Sequence, residues 1–484
     1  MLNSKQRDVA FKIEGNTIVS ASPGTGKTKT LVARAEHKLE SIPKHKYLAL
    51  ITYTNAAADE IASRLFSDNK NIFIGTIHRF CLEFILRPFG WLYNWDKPRI
   101  VTYDELKEFL ELNGDINLGD SPLDELGKIK YNLKGELDSS VDWTNSDTLE
   151  YVAELYFSFL KNKKAIDFNE ILYRSYKIVS ENKFVVSSLA NMFYEISVDE
   201  FQDTNIYQYE ILKIINSHSV CTFFMVGDEK QRIYKFAGAI DNAFEKASKD
   251  FNTKVEKLEI TYRSTNNIIK SYSSLFENHI TLKNESEYNE LDYEIIISET
   301  GKDNNNAYIE SVIKELIKVD GFNLSDIAIL NTSWREAFFI SKYLRQKYHV
   351  VGLGALPHKS VNSSTFGLIR SLSKFIYSPT IRNLRVIKRN IEFHALENNV
   401  SFEEKDIALK TNSIITSCKS LDYSISLIDG LNSFNDIFNT NFGFYHSDID
   451  EIINLISAEE AEIWTLEKYL KTLAGVNGIT INTI

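Results

Sequence analysis

Three cysteines in 484 residues, Cys81, Cys221 and Cys418, are too few and too far apart for a disulfide framework. None belongs to a Cys-x-x-Cys pair of the kind that holds zinc, and their sparseness points to a reducing compartment. Proline (7) and glycine (20) are scarce, so flexible linkers should be few and elements long. No apolar run approaches the roughly 18 residues of a membrane span; the best, Val220 to Val226, is far shorter. The first residues, Met1 to Asp8, are polar and lack the apolar centre of a signal peptide. There is no excess of positive charge either. The 55 Lys and Arg against 66 Asp and Glu leave a net charge of −11, which excludes a wholly basic nucleic-acid-coating protein but leaves room for a local basic channel. These absences predict a soluble, cytoplasmic protein of two to four domains without membrane contact.

Six short runs rich in β-branched and aromatic residues read as buried parallel strands: Thr17–Ala21, Tyr47–Tyr53, Ile72–Thr76, Tyr194–Asp199, Phe223–Asp228 and Lys254–Tyr262. Helical periodicity fills the gaps, as at Leu31, Val32, Ala35 and Leu39, or Ala57, Ile61 and Leu65. The alternation predicts a doubly wound α/β core. Residues 87–165 interrupt it with helix and loop. A second α/β pattern begins near Asn305, with helix Tyr308–Val319, strand Asp326–Asn331, helix Arg335–Gln346 and strand Tyr348–Gly352. It turns helical from about 355 to 470, then closes on the β-branched run Gly478–Ile484.

The run Ala21-Ser22-Pro23-Gly24-Thr25-Gly26-Lys27-Thr28 follows a strand and opens a helix, which is the setting a phosphate loop requires. Its backbone N–H groups, from Ser22 through Gly24, Thr25 and Gly26, can approach phosphates, and the helix N-terminus adds a favourable dipole. Lys27 would neutralise the β and γ oxygens and Thr28 would ligate Mg²⁺. Ala21 stands where the general pattern has its first glycine. A phosphate loop also needs a carboxylate for the metal at the end of a nearby strand, and Asp199 closes the strand before Glu200. Glu200 is placed to orient and deprotonate the attacking water.

The run Asp199-Glu200-Phe201-Gln202-Asp203-Thr204-Asn205, with Gln208-Tyr209 after it, resembles the superfamily 1 helicases of the UvrD/Rep/PcrA type. Other blocks agree in type and order. Leu2–Gln6 resembles the adenine-reading motif, with Gln6 on the base. Thr52–Ala58 resembles the first DNA-contacting motif, giving Thr54 and Asn55, although Ala56 replaces its lysine. Gly75–Phe80 resembles the next and gives His78 and Phe80, and Ile166–Leu172 marks a return from an inserted domain. Val226–Ala239 resembles the coupling motif: Gln231 would sense the γ-phosphate, and Tyr234 and Phe236 would contact DNA, with Ala237 in place of an arginine. Thr261–Thr265 resembles the motif in which Tyr262 stacks on adenine and Arg263 reaches the γ-phosphate. Residue chemistry agrees: a guanidinium fork suits phosphate oxygens, and aromatic stacking tolerates any base.

The resemblance implies an α/β fold of two RecA-like P-loop cores, the second incomplete, each with a mostly helical insertion and with ATP in the cleft between them. The boundaries that follow are 1–86 and 166–265 for the first core, 87–165 for its insertion, 266–354 for the second core, 355–470 for its insertion and 471–484 for a returning segment. The implied activity is an ATP- and Mg²⁺-dependent translocase or helicase on single-stranded or partly duplex DNA, moving 3′ to 5′. In the family a strand like Thr480–Ile484 leads into a His-x-x-Lys-Gly-x-Glu block, and a second arginine follows. Neither occurs here, so the expectation is slow hydrolysis by this chain. The compact size and small insertions also resemble the helicase subunit of Gabija anti-phage systems, which implies a DNA- or nucleotide-sensing defence role with an OLD-type nuclease partner. The missing blocks leave a third reading, a non-catalytic DNA-binding module.

Overall fold

A computed structural model of the chain describes all residues except 66–70, 96–98, 120–121, 144, 146, 219, 234–237, 277–281, 300–304, 319–320, 353, 359–362, 399, 401, 445, 476–477 and 484. It divides into two compact units, Met1–Ile295 and Ile296–Ile484.

The first unit is built on six strands: β1 (Thr17–Ala21), β2 (Tyr47–Thr52), β3 (Ile72–Thr76), β4 (Phe193–Val198), β5 (Thr222–Gly227) and β6 (Lys254–Leu258). Their order across the sheet is β3-β2-β4-β5-β1-β6, and every neighbouring pair is parallel. A parallel sheet is covered on both faces, so its strands are apolar without alternation. Leu48, Ala49, Leu50 and Ile51 of β2 and Phe223 to Val226 of β5 are accordingly buried one after another. Because all six run the same way, their carboxyl ends share one edge, and β1 lies inside the sheet between β5 and the edge strand β6. Loops leaving that edge are where such sheets place ligands.

Helix α1 (Lys27–Ser41) follows β1 and buries Leu31, Val32, Ala35 and Leu39. Helix α2 (Asn55–Arg64) follows β2; Thr54 caps it, its Oγ1 accepting the Ala57 N–H at 3.1 Å. Between β3 and β4 the chain leaves through Arg99–Ile100 and returns through Ala165–Ile166, which pair in parallel. The residues between them bury a cluster of their own, with Phe109, Leu126, Ile129, Val152 and Tyr156 inside. Helix α3 (Phe168–Glu181) begins at once, capped by Asp167, whose Oδ1 accepts the Glu170 N–H at 2.7 Å.

The expected strand Lys254–Tyr262 is divided. It leaves the sheet after Leu258, and Ile260–Thr261 pairs instead with Lys283–Asn284. The reason lies in the phosphate loop: Thr261 Oγ1 donates to Pro23 O at 3.0 Å and Tyr262 N to Gly24 O at 3.0 Å, which pulls the chain out of line.

The second unit carries a smaller parallel sheet of β7 (Ala328–Asn331), β8 (Val350–Gly352) and β9 (Ile479–Thr483), with β9 in the middle. Helices Asn305–Lys318 and Trp334–Leu344 accompany it. Between β8 and β9 lies a helical stretch with a core of its own, rich in phenylalanine and including Phe434, Phe438, Leu431 and Tyr469.

Candidate active site

The turn between β1 and α1 is shaped by two glycines. Gly24 and Gly26 have φ of +73° and +81°, a region that side chains resist. A Cβ on Gly24 would stand 2.6 Å from Arg263 Cβ and from Thr261 Oγ1; one on Gly26 would stand 2.6 Å from Gln6 Nε2. The loop is therefore packed between the N-terminal segment and the stretch after β6. Thr25 closes it from inside, its Oγ1 donating to Ser22 O at 2.7 Å. Lys27 opens α1, with Thr28 next to it.

Lys27 Nζ lies 3.1 Å from Glu200 Oε2. This joins the carboxyl end of β1 to that of β4, although the two residues are far apart in the chain. Glu200 has φ 50° and ψ 47°, a left-handed conformation that costs a residue with a side chain about 1–3 kcal/mol. It is held there by Lys27, by Gln202 Nε2 at 2.9 Å and by its own N–H, which donates to Asp199 Oδ1 at 3.1 Å. Such strain at a carboxylate beside a phosphate loop is typical of functional positions.

Asp199 is buried, and its N–H donates to Ile51 O at 2.9 Å. Burial first, and the neighbouring charge of Glu200 second, push its carboxyl up to about 7, while Lys27 draws it back. Burial beside a second carboxylate disfavours its charged form, and a divalent cation at this end of β4 would favour it. Among the described residues no three His, Cys, Asp or Glu side chains gather into a metal cage. The Thr28 hydroxyl near the start of α1 and the Asp199 carboxylate just after β4 are both hard-oxygen groups, the ligand chemistry that Mg²⁺ takes together with phosphate and water.

Beyond β5, Gln231 Nε2 donates to Asp228 Oδ2 at 2.7 Å. Arg263 is exposed, and no carboxylate among the described residues pairs with it. Beside it, Tyr262 is 38 % exposed and its hydroxyl accepts Asn3 Nδ2 at 2.8 Å. Asn3 and Gln6 cap one another: Asn3 Oδ1 accepts the Gln6 N–H at 2.7 Å and Gln6 Oε1 accepts the Asn3 N–H at 2.8 Å. Gln6 Nε2 also donates to Thr25 O at 2.8 Å. Gln6 thus bridges the N-terminal turn and the phosphate loop, with one N–H and one lone pair left over on its amide.

A family model described as the UvrD/REP helicase N-terminal domain matches residues 2–252, more than half of the chain. The chain belongs to the UvrD/Rep helicase family. A second model, the UvrD-like helicase C-terminal domain, matches residues 256–479. The chain is 27% identical over 384 residues to the ATP-dependent DNA helicase Rep of Escherichia coli (strain K12), covering 75% of this chain and 56% of that protein. It is 27% identical over 379 residues to the ATP-dependent DNA helicase PcrA of Bacillus subtilis (strain 168), covering 72% and 50%. A probable DNA helicase II homolog of Mycoplasma capricolum is 25% identical over 491 residues, covering 94% and 66%. The chain therefore spans about half to two thirds of the length of these curated relatives.

In this UvrD/Rep chain the two parallel sheets belong to two RecA-like cores, as the sequence predicts. The structure brings Gln6, Ser22, Gly24, Thr25, Gly26, Lys27, Thr28, Asp199, Glu200, Gln231, Tyr262 and Arg263 to the carboxyl edge of the first sheet or the loops packed on it. Of the residues expected to meet DNA, Thr54 and Asn55 are exposed at the start of α2. His78 is half-buried, its ring edge-on to Phe168 at 5.4 Å, and burial pushes its imidazole down to about 4, so it is neutral near pH 7. Tyr234 and Phe236 lie outside the described residues.

Phe80 requires a correction. It has no exposed surface and packs against Phe73, Phe84 and Phe193, so it supports the sheet and offers no face to a base. Three other residues escape the sequence reading. Tyr53, 37 % exposed, stands beside Thr54 at the carboxyl end of β2. Asn3 reaches Tyr262, and Gln202 reaches Glu200. The first was legible as an aromatic at a strand end; the other two depend on partners far along the chain.

Proposed function

We propose that the chain is an ATP-driven motor that steps along single-stranded DNA and opens duplex, in keeping with relatives that are named ATP-dependent DNA helicases. The observation that supports this most is the meeting of Lys27, the pair Asp199–Glu200 and the backbone of Arg263 around one phosphate loop. In this reading Lys27 and the loop N–H groups hold the β- and γ-phosphates, Gln231 faces the γ-phosphate, and Arg263 stabilises the charge that develops there. Gln6 and Tyr262 take the adenine. Thr28 and Asp199 would hold Mg²⁺, which neutralises phosphate charge when bound. Glu200 accepts a proton from water as its oxygen attacks the γ-phosphorus; the bond to the β-phosphate oxygen breaks, and ADP leaves with that electron pair. Tyr53, Thr54, Asn55 and His78, on the same edge of the sheet, are the DNA-facing side. Residues 87–165 and 355–470 act as insertions on the two cores.

The test is ATP turnover with and without an unstructured oligothymidine, using the chain and its Lys27→Ala variant. The expected result is DNA-stimulated hydrolysis that the variant loses while it still binds the oligonucleotide. Tight DNA binding without turnover in the unaltered chain would instead mark a binding module.

A further inference from the structure

The short strand pair of Ile260–Thr261 with Lys283–Asn284 stands beside the phosphate loop. The stretch 283–286 is laced to residues 259–266 by main-chain and side-chain hydrogen bonds. Lys283 N donates to Glu259 O at 2.9 Å and Glu285 N to Thr261 O at 3.0 Å. Asn284 Nδ2 donates to Ser264 O at 3.1 Å and to Asn266 Oδ1 at 2.9 Å, and the buried Ser286 donates its Oγ proton to Ser264 O at 2.9 Å. Tyr262 and Arg263 therefore lie between two fastened carbonyls, those of Thr261 and Ser264.

The Tyr262 hydroxyl is fixed as well, and its proton can be assigned. Asn3 Oδ1 accepts the Gln6 backbone N–H, which can only donate, so the Asn3 amide turns its nitrogen to Tyr262. The phenol oxygen accepts that bond, and its single proton needs an acceptor elsewhere. Glu285 Oε2 lies 3.4 Å away. Lys283 Nζ donates to the other oxygen of that carboxylate and holds it below the ordinary glutamate range, so near pH 7 it can only accept. The tip of the Tyr262 ring is thus held by the N-terminal turn on one side and by Glu285 on the other. The ring itself is partly exposed, so packing alone does not fix its tilt.

We propose that Glu285 is a positioning residue for base recognition: accepting the Tyr262 proton opposite Asn3, it holds the phenol ring at the tilt that receives the nucleobase. This rests on the reading of Tyr262 as the adenine platform.

The test compares ATP with inorganic tripolyphosphate, which has no base, by isothermal titration. Glu285→Ala should weaken ATP binding about 3- to 10-fold, the scale of one hydrogen bond lost from a preorganised site. Its affinity for tripolyphosphate should stay within about twofold, because the phosphate loop is untouched. Glu285→Gln keeps an acceptor for the phenol and should recover most of the ATP affinity. On a Tyr262→Phe background, Glu285→Ala should cause no further loss, since the hydroxyl through which it acts is gone. An unchanged ATP affinity overturns the proposal. So does an equal loss for both ligands, or a full loss on the Tyr262→Phe background, because either marks a general prop for the loop. Tyr262→Ala separates the two failures. If it leaves ATP affinity unaltered, the reading of Tyr262 falls; if it weakens ATP while Glu285→Ala does not, only the role of Glu285 falls.

Discussion

Arg34 and Glu195 form a bidentate ion pair sealed from solvent, Nε to Oε1 at 2.9 Å and Nη2 to Oε2 at 2.7 Å. Arg34 lies on α1, the helix that begins with Lys27, and Glu195 on β4, the strand that leads to Asp199. The guanidinium also donates to Val9 O and Ile13 O and lies over the Phe224 ring at 4.4 Å. Removing one partner leaves the other charge buried and alone. Arg34→Ala or Glu195→Ala should each cost about 3–5 kcal/mol of stability in urea unfolding. A joint Arg34→Met, Glu195→Leu replacement should cost far less than the two alanine losses together.

Gly24→Ala should separate the shape of the phosphate loop from its charge. The added methyl meets Arg263 Cβ and Thr261 Oγ1 at a positive φ, while Lys27 is untouched. Circular dichroism should stay unchanged, and affinity for a fluorescent ATP analogue should fall by about 5- to 150-fold, the scale of a 1–3 kcal/mol backbone strain.

Arg263→Ala removes the planar charge beside the loop. Turnover should drop on the order of 10³-fold or more, as for other arginines that stabilise phosphoryl transfer. ATP affinity should suffer less, because most of that charge interaction forms only during reaction.

Gln6→Ala should blunt the choice of base. A site that hydrogen-bonds one base edge rejects another by leaving polar groups unpaired, so the preference for ATP over GTP, measured as a ratio of kcat/KM, should shrink by at least about tenfold.

A pH response is expected in the second unit. His394 and His446 are buried and stacked at 4.9 Å, with their Nε2 atoms 2.8 Å apart and Ser364 Oγ 2.7 Å from His394 Nδ1. Burial pushes His394 down to about 3, helped by His446, and pushes His446 down to about 4. The unfolded chain, with an ordinary histidine pKa near 6.5, binds protons that the folded unit refuses. Stability from this pair is therefore complete above about pH 7 and is lost as pH falls toward about 4. The urea midpoint of the second unit should drop between about pH 7.5 and pH 5. A His394→Phe, His446→Phe chain should show a shallower drop, its new rings lying among Phe442 and Phe444.

Much of the first unit was legible because parallel strands buried on both faces leave long apolar runs, and because Ser22–Thr28 and Asp199–Glu200 sit at strand ends. What the sequence could not convey were contacts decided in three dimensions. Phe80 falls in a block that resembles a DNA-contacting motif, yet its ring turns inward to Phe193. Gln202 looks like one polar residue among several until Asp228 arrives across β5. The break after Leu258 depends on bonds from Thr261 and Tyr262 to a loop hundreds of residues earlier.

The seating of β9 between β7 and β8 has a consequence during biosynthesis. Both flanking strands leave the ribosome long before their shared neighbour, and residues 353–478 must be made in the meantime. Until then neither has the partner that pairs with it in the finished sheet. The helical stretch can collapse on its own phenylalanine core during that interval, whereas the sheet must wait for β9.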